Sequence, residues 1–436
     1  MAAHKRRVLA AGFAATALVA VTACSGGGGG SGDGENVEIS LLVQTGGTGP
    51  AWGEALIAAF NEEHPEITVT MNSQPGGTEG DNLVKTKLAT GEMEDVFTYN
   101  TGSLLQAINP DQNLVDLSDQ EWTSSLIEPF IPVVSTENGL YGAPNGTSQA
   151  GGILYNVPLY EELGLEVPTT WADFMANNDA IKAAGHTAII QTYGDTWTSQ
   201  LFVLGDFGNV AAQDPDWAEA YTANERSYAE QPALQSFLNQ QEAYEGGYFN
   251  EDFASALFDD GLRMVATGEG AHYPILSGGV STISQNYPEN IGDVGFFPLP
   301  AQDADDTRAT IWLPNAVYIP STTEGEELEA AKLLVEFVNS PEGCRLQVEL
   351  NVPAGPFATS LCELPSDVPR ATQDLQEWVD NELANPALEF VSPIKGPNLE
   401  NITVQVGSGI STAEEGASLY DEDVIKQAQQ LGLDGW

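Results

Sequence analysis

With 436 residues the chain is too long for one average domain and suits two lobes of ordinary size. A hydrophobic share of 42% fills sizeable cores and excludes global disorder. Fourteen basic residues stand against 63 acidic ones, a formal net charge of −49; a surface of that sign repels phosphate backbones and excludes nucleic acid as a partner. The acidity is read as the solvated surface of an exported protein rather than as a cation site, and it bears on solubility, not on fold.

The N-terminus stands apart from the rest. His4-Lys5-Arg6-Arg7 is a basic leader, residues 8–21 are an apolar run short of the about 20 that span a bilayer, and Val21-Thr22-Ala23-Cys24 sets small residues before a cysteine. This is signal-peptide architecture and resembles a bacterial lipobox. The resemblance implies removal of residues 1–23, lipid on the Cys24 sulfur and a protein anchored to the cell membrane on its extracytoplasmic face. The alternative is an ordinary secretory signal with an incidental cysteine. Residues 24–36 then give the lipidated cysteine and a Gly/Ser tether that has no means of burying apolar surface. Gly27-x-Gly29-x-x-Gly32 has the spacing of a dinucleotide loop, but it follows no strand and opens no helix.

Apolar residues alternate at 37, 39, 41 and 43, which predicts a strand. A Gly-rich loop over 44–50 follows, then a helix with Trp52, Ala55, Leu56, Ala59 and Phe60 on one face, stopping before Pro65. Ile67, Val69 and Met71 alternate as a second strand. A loop over 76–80, a helix over 82–90 closed by Gly91 and a third strand over 95–99 come next. Strand–helix–strand–helix–strand implies right-handed crossovers and a mainly parallel sheet. Residues 139–190 read as a strand through Tyr155-Asn156, a short helix over 158–163, a longer one opened by the capping box Thr170-x-x-Asp173, and a buried strand over 187–190. Further helices are expected over 232–245, within 255–267, along the face Leu328, Ala331, Val335 and Val338, and from the capping box at Ser411-Thr412-Ala413-Glu414-Glu415. Residues 291–300 and 311–319 are strand-like. Cys344 and Cys362 are close enough in sequence to bond outside the cytoplasm, though two buried free thiols fit the sequence as well.

Several runs carry a resemblance: WGEALIAAFNEEHPEITVT, LATGEMEDVF, YGAP…ILYN…LYEELGLEVPTTWADF…IKAAG, IGDVGFFPLP, SPEG and NVPAGPF. In order and spacing they are similar to the family 1 extracellular solute-binding proteins of bacterial ABC transporters, mostly carbohydrate-binding members of the periplasmic-binding-protein superfamily. The resemblance covers roughly residues 37–436. It implies an α/β, two-lobed fold of type II with a ligand in the interlobe cleft and three crossovers, near Asn145, Gly270 and Pro314. One lobe would be 37–146 plus 270–315, the other 147–269 plus 316–436. It implies a monomer that captures a mono- or oligosaccharide and passes it to permease subunits, touching the membrane only through its lipid.

The residues themselves argue against catalysis. The chain past residue 23 has three histidines, no Gly-x-Ser-x-Gly elbow, no His-Glu-x-x-His and no phosphate-binding lysine loop. Carboxylate pairs for a glycosidase are everywhere among 63 acidic residues and so carry no weight. No metal and no cofactor are expected. A neutral sugar needs flat aromatic platforms and a partner for every hydroxyl, since a missing one costs the desolvation of a buried polar group. Aromatics beside polar residues in loops after strands supply candidates: Tyr99 with Asn100, Trp197, His272 with Tyr273, and Trp312. The family resemblance adds Glu79 and Asp81 in the loop after the second strand, Asn145 and Thr147 at the first crossover, and Phe357 in the late Pro-rich loop. A non-sugar solute on the same scaffold, or a glycosidase, are the competing readings.

Overall fold

The computed structural model describes residues 36–45, 49–433 and 435–436, without the side chains of 77 and 78. The signal segment, Cys24 and most of the tether lie outside the described residues. Two sheets organise the rest. The first has the order β2 (Ile67–Gln74), β1 (Val37–Gln44), β3 (Val96–Tyr99), β10 (Asn315–Tyr318), β4 (Gly142–Asn145), and the second β11 (Ala384–Pro386), β9 (Ala309–Trp312), β5 (Gln149–Asn156), β7 (Gly270–Leu276), β6 (Thr187–Ile189), with β8 (Val294–Phe297) also paired to β5.

In the first sheet β1 (Val37–Gln44) and β2 (Ile67–Gln74) run parallel from Val37 opposite Ile67 to Gln44 opposite Gln74. The helix Gly49–Glu63 connects them, burying Trp52, Leu56 and Phe60. β3 (Val96–Tyr99) joins the other edge of β1 in parallel after the helix Gly77–Thr90. That helix ends at Gly91, whose φ of 70° takes the left-handed conformation glycine adopts without strain. Leu42 is buried like its neighbours Leu41 and Val43, so β1 is covered on both faces, as central parallel strands are. β4 (Gly142–Asn145) follows, and β5 (Gln149–Asn156) opens the second sheet only three residues later.

In the second sheet β5 pairs antiparallel with β7 (Gly270–Leu276) on one edge. On the other it pairs with β9 (Ala309–Trp312) through its first residues and β8 (Val294–Phe297) through its last. β6 (Thr187–Ile189) runs parallel to β7, and β11 (Ala384–Pro386) parallel to β9. Asn156, which was not anticipated as a cap, accepts at Oδ1 from the Leu159 N–H at 3.0 Å at the head of Val157–Leu163. The two expected caps form. Thr170 Oγ1 accepts from the Asp173 N–H at 3.1 Å before Trp171–Ala183. Thr412 and Glu415 close a reciprocal box before Ala413–Leu431.

The expected change of lobe near Gly270 is corrected. β7, β8 and β9 all belong to the second sheet, because residues 270–275 are buried on both faces and seat β7 between β5 and β6. The chain returns at residues 312–315, where β10 (Asn315–Tyr318) enters the first sheet between β3 and β4. The helix Gly325–Val338 then joins the first core, with Leu334, Val335 and Phe337 packed among Ile39, Leu41 and Phe60. Residues 316–350 therefore pack with the first sheet and 270–312 with the second, the reverse of the expected division. After the helix Pro341–Leu350 the chain passes again to the second sheet, where the helix Arg370–Asp380 lies against β8. Cys344 and Cys362 are joined by a disulfide with Cα atoms 5.3 Å apart, packed on Phe357. Closing that loop contributes roughly 3 kcal/mol on a chain-entropy basis. No helix among the described residues is long and apolar enough to cross a membrane.

Candidate functional site

Three strands of the first sheet direct the site. β1 and β3 end at Gln44 and Tyr99, and β4 at Asn145, beside the start of the antiparallel β10. Ligands of open α/β sheets sit outside the carboxyl ends of strands. A pocket of about 200 Å³ lies there, walled by Gln44, Thr98, Asn145, Asn315 and Asn351, with the Trp52 indole at its base. Gly49, the first residue of the helix bearing Trp52, closely approaches the end of β1: a Cβ on it would stand 2.4 Å from the Gln44 carbonyl oxygen. Trp52 is 3% exposed, and its Nε1–H finds no acceptor among the described residues. A buried donor left unpaired is costly.

The passages between the sheets form the pocket's floor. Gly146, at φ 98°, donates its N–H to Gln347 Oε1 at 2.7 Å. Ser148 donates its N–H to the Pro356 carbonyl at 2.8 Å, Thr147 bridges to Phe357, and Thr147 Oγ1 accepts from the Ala354 N–H at 3.1 Å. Thr101 Oγ1 donates to the Pro314 carbonyl at 3.2 Å. The first and last passages are thus tied edge to edge, and the second is held to the loop after β3.

The pocket's polar wall is made of carboxamides and a hydroxyl, and none of the described residues lining it is charged. Asp81 is half-buried, and burial holds its carboxyl above the usual range against the opposing pull of Lys85, the Tyr99 hydroxyl and Lys395. Burial, with the Asp81 carboxylate beside it, raises the Tyr99 phenol in turn. Lys395 belongs to the second-sheet side, where its Nζ bonds Glu389 Oε2 at 3.0 Å.

Of the residues expected from sequence, Asn145 lines the pocket, whereas Tyr99 and Asp81 stand together but do not line it. Asn100 follows β3, its carbonyl accepting from the Tyr318 hydroxyl at 3.1 Å. Glu79 is exposed in the first turn of its helix. Thr147 and Phe357 form the passage itself. Trp312 ends β9 opposite Gln149, 9% exposed and packed over Gly151. Trp197 packs on Phe258 with ring centres 5.2 Å apart, away from the pocket.

His272 and Tyr273 are corrected, because β7 is a central strand with both faces covered. His272 is 0% exposed; its Nδ1 lies 2.8 Å from Asn178 Oδ1 and its Nε2 2.6 Å from the Tyr160 hydroxyl. The amide oxygen only accepts, so Nδ1 carries the proton and Nε2 accepts from Tyr160. Burial pushes this imidazole down to about 3 and keeps it neutral. Tyr273 is equally buried, its hydroxyl 2.7 Å from Thr192 Oγ1. Gln44, Trp52, Asn315 and Asn351 were missed. A tryptophan just after a glycine-rich turn was the one available signal among them.

Two sheets in separate cores, joined by short passages with a pocket at the strand ends, define a solute-binding protein of the two-lobed α/β class. The sequence model of the bacterial extracellular solute-binding protein family matches residues 45–343, and the chain belongs to that family. It is 23% identical over 252 residues to the multiple sugar-binding protein of Streptococcus mutans; the match covers 57% of this chain and 58% of that relative, so the chain spans about three-fifths of its length. The fold is similar to that of RafE in complex with raffinose, with TM-score 0.74 at 19% identity over 91% of this chain and 99% of that one. It is similar as well to a sugar transporter of Bacillus licheniformis in complex with stachyose, with TM-score 0.71 at 17% identity over 90% and 100% of the two chains.

Proposed function

We propose that this protein captures a neutral carbohydrate outside the cytoplasm and delivers it to the permease of an ABC importer, without covalent chemistry. The observation that carries this reading is the pocket wall. In a chain with 63 acidic residues, the described residues that line it offer amides, a hydroxyl and an indole and no formal charge. Carboxamides both donate and accept, which suits hydroxyls; a charged ligand would be desolvated there without a counterion. Raffinose and stachyose, the sugars held by the two related structures, are of this neutral kind. Gln44, Trp52, Asn145, Asn315 and Asn351 would hold the sugar, with Tyr99 and Asp81 at the rim. Trp312 and Lys395 would approach from the second lobe as the lobes close. The lobes would be 37–146 with 315–350 and 357–362, whose Ala358 packs in the first core and whose Cys362 bonds Cys344, and 149–312 with 370–436. A lipid on Cys24 would keep the body near the permease.

Titration calorimetry of washed, ligand-free protein against neutral and uronic-acid oligosaccharides tests the reading. Binding of a neutral sugar only is expected, weakened about tenfold by Asn145→Ala through loss of one or two hydrogen bonds. Heat from the acidic sugars alone, or product release abolished by a single carboxylate substitution, would overturn it.

A further inference from the structure

A larger cavity than the cleft pocket, of about 340 Å³, lies on the second lobe between the helix Arg370–Asp380 and the far end of β5. Its position along β5 sets it apart. Gln149 pairs with Trp312 beside the interlobe passage, whereas Tyr155 lines this cavity six residues on, about 20 Å away at the rise of a strand. Its walls are Tyr155 and Phe296 from β5 and β8, and Arg370, Asp374, Glu377 and Trp378 from the helix.

One of the polar groups, the Asp374 carboxylate, is fixed by the backbone. Asp374 Oδ2 accepts the Phe296 N–H at 2.9 Å, and Gly295 makes room, since a Cβ there would stand 2.8 Å from the same oxygen and 2.4 Å from the Tyr155 ring. The Arg370 Nε stands 3.9 Å from the same carboxylate oxygen, beyond hydrogen-bond length, and the guanidinium hydrogen-bonds the Tyr155 hydroxyl beside it. Trp378 is half-buried, and Val167, 42% exposed, faces the same space. The cavity therefore presents one indole, a fork of donors, two carboxylates as acceptors and an apolar rim, at a volume typical of small-molecule sites.

We propose that this cavity is a second saccharide site, which takes one neutral pyranose unit with its C–H face on Trp378 and a vicinal diol between Arg370 and Asp374. The diol donates to the carboxylate and accepts from the guanidinium, so both protein charges stay paired while the ligand carries none. The helix that forms the wall also reaches the passage between the lobes: Thr372 Oγ1 donates to the Pro353 carbonyl at 2.7 Å. Occupancy here would thus press on the segment about which the lobes turn. The proposal goes beyond the cleft reading and does not require it.

The test is fluorine NMR of the full chain labelled with 5-fluorotryptophan, with the Trp378 and Trp52 signals assigned by substitution, titrated with galactose, raffinose and glucosamine. Galactose and raffinose should move the Trp378 signal saturably, and Arg370→Met or Asp374→Asn should weaken that response about tenfold or more while leaving the Trp52 response intact. Arg370 is 46% exposed, so its variant keeps the test valid if the aspartate variant is unstable. A Trp378 signal that no sugar moves up to tens of millimolar overturns the proposal, and so does one that only the cationic glucosamine moves. If Trp378 responds and Trp52 does not, the cleft assignment fails and this one stands.

Discussion

Two buried titratable groups set opposite pH signatures. His272 is held neutral at about 3 by burial, below its ordinary value, so the unfolded chain binds a proton first as pH falls. Its contribution to stability is full above the unfolded value and drains away between about pH 6.5 and 3. Asp206 behaves the other way. It is 4% exposed, bonded to Asn209 Nδ2 at 2.7 Å, and burial raises its carboxyl to about 7. The folded state therefore keeps a proton that the unfolded chain has lost, and the associated stability declines as pH rises through about 7. Melting temperatures recorded across this range should show a flatter acid limb for His272→Gln. For Asp206→Asn they should show a flatter decline from pH 4 to 7 and no loss at pH 8. A His272→Gln profile parallel to the parent would mean that this imidazole is not kept neutral.

The elements differ in how readily they could be read ahead. Caps and parallel strands were legible because each has a local cause: the hydroxyls of Thr170 and Thr412 three residues before an acidic side chain, and the alternation at Ile39, Leu41 and Val43. The lobe to which β7 belongs was not. A strand buried on both faces has the same composition in either sheet, and only its neighbours β5 and β6 decide. The site divides in the same way. Asn145 was placed by the passage it ends, whereas Asn315 and Asn351 are lone amides whose meaning comes from where distant segments meet. At the passage, Gly146 holds φ 98°, and a Cβ there would touch nothing within 4 Å. The cost of Gly146→Ala is therefore purely conformational, about 1–3 kcal/mol, and urea unfolding should show it. An unchanged midpoint would mean that the passage relaxes freely.

At the scale of the molecule, the edge-to-edge passages leave the two cores separate and predict rotation of one against the other when the pocket fills. X-ray scattering with and without a binding sugar should give a smaller radius of gyration in the bound state; an unchanged curve with saturating ligand would rule out closure as the response. The pocket also has a consequence for biosynthesis. Its walls come from residues 43 to 351, on five separated segments, so recognition is among the last properties a growing or threading chain acquires. A polypeptide cut short of Asn351 would fold much of its first sheet and recognise no cargo. Protection from protease by sugar should therefore begin only once the whole chain has emerged, which makes ligand rescue a readout of completed export rather than of synthesis.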